Sequence, residues 1–169
     1  MYLVKTTDPA QLTGKAAELF AMFPPHVSPP EPLMLMTASP GLVEVQAGAI
    51  GYFRGHKDLD FAMLAAIRLL ASRHLDAPAC IAFNGGLLAS AGMAQDELDV
   101  LPGAGGDFSD RQRALIAFAL KVLETPGEVC AEDLDALRAM GWADSTIYDA
   151  AAQAVNMQVP ATMMRAFKR

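Results

Sequence analysis

The chain has 169 residues, a formal net charge of −6, 53% hydrophobic residues and only 19% charged ones. This length suits one domain with a substantial core and is short for two. Because lysine and arginine form no cluster, the charge pattern excludes the usual electrostatic surface for nucleic acid. The apolar excess predicts that some surface is buried against another subunit, so we expect a homo-oligomer.

The first residues lack a basic segment followed by an apolar run, so we predict no secretory signal and a cytoplasmic location. The longest uncharged stretch, residues 77–95, contains Pro78, Asn84 and several glycines. That composition favours a buried helix over a membrane span. We therefore expect no membrane association.

The first helix signal is Asp8-Pro9, with the aspartate as N-cap, and apolar residues at helical spacing continue to Phe23. Five prolines between Pro24 and Pro32 predict an extended connector without regular structure. Residues 1–32 are thus predicted to form an N-terminal helix and a proline-rich connector. Residues 33–169 are predicted to form the core of the same single domain.

Ser39-Pro40 repeats the start signal, and the second helix is predicted to end at Gly55 as a left-handed C-cap. Apolar residues between Leu59 and Ala71 recur at steps of three and four and predict a core helix. Residues 74–76, His-Leu-Asp, are predicted to end this helix.

Asp76 is predicted to cap the next helix, residues 77–91, which ends at Gly92. Further helices are predicted over 95–101, 109–123, 132–140 and 144–157, with a short one over 160–167. Strand-like alternation is absent. The sequence therefore predicts an all-α bundle of about eight helices.

Two blocks of the sequence resemble the alkylhydroperoxidase D-like (AhpD-like), or carboxymuconolactone decarboxylase, superfamily in its peroxidase-related branch. The first block is residues 77–84, APACIAFN, followed by LLASAGM at 87–93. The family pattern there is Cys-x-x-Cys-x-x-x-His and then a helix ending in an Ala-Gly-Leu type turn. The second block, 108–119 with 131–147, is similar to the helical second half of these proteins. The resemblance implies an AhpD-like fold and an antioxidant oxidoreductase function.

The motif is degenerate. When the two patterns are aligned on Gly92, Cys80 falls on the second cysteine of the family, Ala77 on the first and Asn84 on the histidine. The family's glutamate would lie near residues 63–66, which contain no acid. The resemblance thus leaves one of four redox positions unaltered.

In the family, the second cysteine attacks a peroxide as thiolate and becomes a sulfenic acid, which the first cysteine resolves. The resemblance therefore makes Cys80 the candidate nucleophile. Asn84 can donate hydrogen bonds but cannot act as a general base. Because Ala77 has no sulfur, turnover needs Cys130, a second subunit or an external thiol reductant. A helix N-terminus favours the Cys80 thiolate and burial disfavours it, so its reactivity stays open.

His74, six residues before Cys80, is a third candidate site residue that Asp76 or Asp60 could orient. The alternative is that it lies on the surface or packs, as we expect for His26 and His56. The histidines have no ligand spacing, and the methionines are expected to fill core and interface gaps. We predict no cofactor and no metal.

Three functions remain open. The first is a residual thiol-dependent peroxidase or redox activity at Cys80. The second is a catalytically degenerate protein acting as a binding or interaction scaffold, in which Cys80 is a small buried hydrophobe. The third is a carboxymuconolactone decarboxylase-type enzyme. Cys130 is predicted to have a structural role at the start of a helix.

Overall fold

The computed structural model describes residues 1–23, 28–103 and 105–169. These residues contain no β-strand, only an isolated bridge between Tyr2 and Lys168. They form ten α-helices: α1 (Gly14–Ala21), α2 (Glu31–Met36), α3 (Pro40–Arg54), α4 (Phe61–His74), α5 (Pro78–Ser90), α6 (Gln95–Asp99), α7 (Asp110–Glu124), α8 (Ala131–Ala139), α9 (Asp144–Val155) and α10 (Gln158–Phe167). The all-α prediction is confirmed.

The chain divides into two compact units. The first consists of Met1–His56 with Val159–Arg169, and the second of Lys57–Gln158. The single domain over 1–169, with its boundary after residue 32, stays a prediction.

In the first unit, α1 and α2 both pack against α3. The N- and C-terminal segments meet, where the backbone N–H of Leu3 donates to the carbonyl of Phe167 at 2.8 Å. The buried side chains between the helices form one hydrophobic cluster: Leu12, Ala16, Leu19, Phe20, Leu33 and Val43.

The first predicted helix is interrupted. Asp8 does act as an N-cap, accepting from the backbone N–H of Ala10 at 2.9 Å, but it caps only the short 3-10 turn Pro9–Gln11. The α-helix begins at Gly14, whose φ of +57° turns the chain before α1. A left-handed residue suits glycine and cannot lie inside a continuous right-handed helix.

The proline-rich connector is shorter than predicted, because Glu31 and Pro32 already belong to α2. Proline is tolerated in a first turn, where its missing N–H would have no intrahelical acceptor. Residues 24–27, including His26, lie outside the described residues. Gly55 does follow α3, but its φ of −90° is not left-handed.

The second unit is built around α4, which packs against α5, α7 and α9. Nine of the fourteen residues of α4 are buried, among them Met63 and Ile67 with no exposed surface. Asp60 caps the helix by accepting from the backbone N–H of Met63 at 2.8 Å. A helix that is apolar on nearly every side is typical of a core position. The predicted core helix is confirmed.

The turn between α4 and α5 differs from the prediction. Asp76 does not cap α5: Ala77 occupies the N-cap position, directly before Pro78 at the start of the helix. Asp76 instead ends α4 with a left-handed φ of +47°. The N–H of Asp76 donates to the Arg73 carbonyl at 3.1 Å and that of Ala77 to the Ser72 carbonyl at 3.0 Å. These two bonds form a Schellman motif with aspartate where glycine is usual.

The other helix boundaries follow their sequence signals. Gly92 and Gly141 have left-handed φ values of +100° and +84° and end α5 and α8. Ser109 caps α7 by accepting from the backbone N–H of Gln112. Of the helices in the described ranges, none has the length and apolarity needed to cross a membrane.

Candidate functional site

Cys80 lies in the first turn of α5 and is only 5% exposed. Its backbone N–H donates to the Ala77 carbonyl at 3.0 Å. Burial raises the pKa of the Cys80 thiol, because the thiolate loses hydration there. The position of Cys80 in the first turn of α5 acts in the opposite direction, because the partial positive charge of a helix N-terminus favours the thiolate.

Asn84 lies one turn after Cys80 on α5 and is 2% exposed. Its Nδ2 donates to the Cys80 carbonyl at 2.9 Å, and its Oδ1 accepts from the Nε of Arg68 at 2.9 Å. Both ends of the amide thus have protein partners. This satisfies a buried polar group and fixes the orientation of its side chain.

Arg68 is the residue that the sequence analysis missed. It lies in the middle of α4 and is half-buried. A possible signal was its position as the lone charged residue in the apolar run from Phe61 to Ser72. Sequence alone could not place it against Asn84, because the two residues belong to different helices.

The environment of Arg68 is unfavourable for its charge. No carboxylate of the described residues forms an ion pair with it, and its one side-chain hydrogen bond is to neutral Asn84. Burial lowers the pKa of Arg68 to about 10. We call Arg68, Asn84 and Cys80 together the Arg68 site.

His74, the third candidate site residue, is the last residue of α4 and is half-exposed. Its Nδ1 lies 3.5 Å from Oε1 of Glu124. Asp60 precedes the first turn of α4, about 20 Å away along the helix at 1.5 Å per residue. Asp60 therefore does not orient His74, and the acid beside His74 is Glu124. The role of His74 at Cys80 stays a prediction.

Cys130 occupies the N-cap position of α8 and is exposed. Its backbone N–H donates to Oδ2 of Asp133 at 3.0 Å, and Asp133 also accepts from the Lys121 ammonium at 2.8 Å. This is the helix-start position that the sequence predicted. Both cysteines are free thiols.

The Arg68 site contains a cation but no histidine or carboxylate that could act as a general base. Asn84 has no titratable group, so it cannot accept a proton from the thiol. Neither α4 nor α5 contains an acidic residue. In the part of the chain that the structure describes, no group of three or more His, Cys, Asp or Glu could hold a metal ion.

No family model matches the sequence, and no curated protein matches it. Solved structures with a similar fold include two peroxidase-related proteins. One is an alkylhydroperoxidase AhpD core, an uncharacterized peroxidase-related protein from Ralstonia eutropha JMP134, with a TM-score of 0.79 and 20% identity over 98% of this chain and 90% of that chain. The other is an uncharacterized peroxidase-related protein from Silicibacter sp. TM1040, with a TM-score of 0.77 and 17% identity over 97% of this chain and 92% of that chain. At these identities the similarity shows the fold alone. The protein has an AhpD-like, all-helical fold.

Proposed function

We propose that this protein binds a small molecule at the Arg68 site and does not run a cysteine redox cycle. The observation that carries the proposal is the position of Asn84. Its amide is held between the Arg68 guanidinium and the Cys80 carbonyl, at 2.9 Å on each side. A side chain fixed in this way orients a cation for recognition but moves no proton.

The state of the thiol supports the same proposal. Cys80 is 5% exposed, and burial raises its pKa, so little thiolate is present at neutral pH. Its surroundings resemble those of a small buried hydrophobe.

The test is the alkylation of Cys80 in a Cys130→Ser variant, which removes the exposed thiol and leaves one reporter. We expect iodoacetamide to modify Cys80 slowly in the native protein and rapidly after unfolding in urea. Prior treatment with hydrogen peroxide or cumene hydroperoxide should leave the number of reactive thiols unchanged. A Cys80→Ser, Cys130→Ser double variant gives the background.

The opposite result would overturn the proposal. Fast native alkylation of Cys80, abolished by stoichiometric peroxide, would mean that the thiol is accessible and reactive. Peroxide consumption in the presence of dithiothreitol, lost in Cys80→Ser, would add turnover to that finding.

A second candidate function is a one-cysteine thiol peroxidase. The observation that favours it is the position of Cys80 in the first turn of α5, where the partial positive charge of the helix favours a thiolate. In this reaction the thiolate attacks the peroxide oxygen, an S–O bond forms, the O–O bond breaks and an alcohol leaves after protonation. An external thiol would then reduce the Cys80 sulfenic acid through a mixed disulfide. The alkylation experiment decides between the two functions.

A further inference from the structure

The guanidinium of Arg68 has unused hydrogen-bond donors. Its Nε donates to Oδ1 of Asn84, while the terminal nitrogens Nη1 and Nη2 have no hydrogen-bond partner among the described residues. No described side-chain nitrogen or oxygen is both wholly buried and without a partner. The two terminal nitrogens of Arg68 therefore each have some solvent-accessible surface.

The charge of Arg68 is also uncompensated. No acidic residue occurs on α4 or on α5, the helix that Arg68 contacts, and no described carboxylate pairs with the guanidinium. A partly desolvated cation is costly unless an anion and hydrogen bonds offset the loss of water. By contrast, Arg138 in the same unit has the carboxylates of Asp135 and Asp144 as partners.

The fixed orientation of Arg68 matters for what it can bind. Asn84 holds the Nε side of the guanidinium, and the Cys80 carbonyl in turn holds Asn84. The Nη1–Nη2 edge is thereby presented in one plane before any ligand arrives. Such an oriented fork matches the two oxygens of a carboxylate and loses little freedom on binding.

We propose that the Arg68 site binds a small monocarboxylate through Nη1 and Nη2 of Arg68. This inference rests on the proposed function and names its ligand class. One guanidinium supplies one positive charge, and the side chain of Asn84, which adds no charge, donates one of its two Nδ2 hydrogens to the Cys80 carbonyl. The site therefore compensates a single negative charge and would leave one charge of a phosphate dianion without a counterion.

The experiment is titration calorimetry on the full chain, at constant ionic strength set with sodium chloride. The probes are sodium acetate and sodium benzoate, with acetamide and benzamide as neutral controls of the same shape and inorganic phosphate as a tetrahedral anion. We expect at least one carboxylate to bind, its amide not to bind and phosphate to bind more weakly.

Two variants locate the binding. Arg68→Met should weaken carboxylate binding by about tenfold to a hundredfold, as expected for loss of hydrogen bonds to a charged group. Arg138→Met removes the same charge from an arginine that already has carboxylate partners. The affinity of this variant for the carboxylate should equal that of the wild type. Equal losses in both variants would overturn the proposal.

A measurement on the wild-type chain makes the test independent of how Arg68→Met folds. The NMR signal of the Arg68 Nε–H, assigned by its absence in Arg68→Lys, should shift with the carboxylate and not with its amide. If no carboxylate binds while Cys80 stays inert to peroxide, the ligand class is wrong and the proposed function stands. If Cys80 reacts with peroxide and supports turnover, the proposed function fails whatever the carboxylates do.

Discussion

The Nε of Arg68 on α4 lies 2.9 Å from the Oδ1 of Asn84 on α5, and this hydrogen bond joins two helices that pack extensively in the second unit. Asn84 occupies the position at which the resemblance places a histidine. The residue there connects an arginine to the backbone of Cys80 instead of serving the thiol as a base.

This connection predicts strong coupling between the two side chains. Arg68→Met should leave Oδ1 of buried Asn84 without its donor, and Asn84→Ala should leave the Nε of Arg68 without its acceptor. Each change is expected to lower the free energy of unfolding by about 1–3 kcal/mol. The double variant should lose less than the sum, with a coupling energy of about 0.5–3 kcal/mol measured by urea unfolding.

Asn156→Ala is the matched control, since Asn156 is exposed at the end of α9. It should change stability by less than about 0.5 kcal/mol and add independently to Arg68→Met. Additivity between Arg68→Met and Asn84→Ala would contradict the connection.

The helices themselves could be read from the sequence, because apolar spacing and capping residues are local signals. Ser109 before α7 and Gly92 after α5 are examples that the structure bears out. Asp76 and Ala77 are adjacent candidates for the N-cap of α5, and the prediction of Asp76 is wrong. Proline prefers the first helical position, which places the N-cap at Ala77, immediately before Pro78.

The Arg68 site could not be predicted in the same way. Arg68 and Asn84 are sixteen positions apart on different helices, and no spacing rule tells which face of α4 meets which face of α5. The sequence also left the reactivity of Cys80 open, because the effect of a helix terminus and the effect of burial have opposite signs. Only tertiary packing determines the exposed fraction of the thiol.

The raised pKa of Cys80 predicts how stability depends on pH. Because the folded thiol has the higher pKa, its contribution to stability is fully present below the pKa of the unfolded thiol, about 8.5. It is lost as the pH rises from there through the folded pKa, since the unfolded chain releases the proton first. Urea unfolding of Cys130→Ser should therefore show a steeper loss of stability above this pH than Cys80→Ala, Cys130→Ser. Parallel curves would argue against a buried protonated thiol.

Asp76 predicts a stabilising substitution. It has a φ of +47° at the position that glycine occupies after α5 and α8. Asp76→Gly should relieve the steric cost of the left-handed conformation and raise the free energy of unfolding by about 0.5–1 kcal/mol. Thermal unfolding measures the gain, and Gly141→Ala is the reciprocal control, which should destabilise the protein. A loss of stability in Asp76→Gly would indicate that the aspartate side chain has a role of its own.

His74 lies beside Glu124 at 3.5 Å, and both side chains are half-exposed. An ion pair this accessible to water contributes at most about 1 kcal/mol. His74→Ala should therefore leave the alkylation rate of Cys80 in the Cys130→Ser protein unchanged and affect stability only slightly. Glu124→Gln should behave in the same way. A changed alkylation rate in His74→Ala alone would return this histidine to the thiol site.

The exposed face of α3 is the surface through which we expect the chain to form a homo-oligomer. Val43 of α3 is buried in the first unit. Another face of the same helix is apolar but exposed: Leu42, Val45 and Tyr52 follow one another at steps of three and seven residues and are 44%, 68% and 56% exposed, respectively. A helix that has apolar residues on two opposite faces is typically covered by other protein surface on both of these faces.

Val45→Glu should thus reduce the mass measured by light scattering toward the 17.9 kDa of one chain. Asn156→Asp adds one negative charge at an exposed position outside α3 and should leave the mass of the wild-type oligomer unchanged. A wild-type mass of one chain at high concentration would show that this face is not an interface between copies.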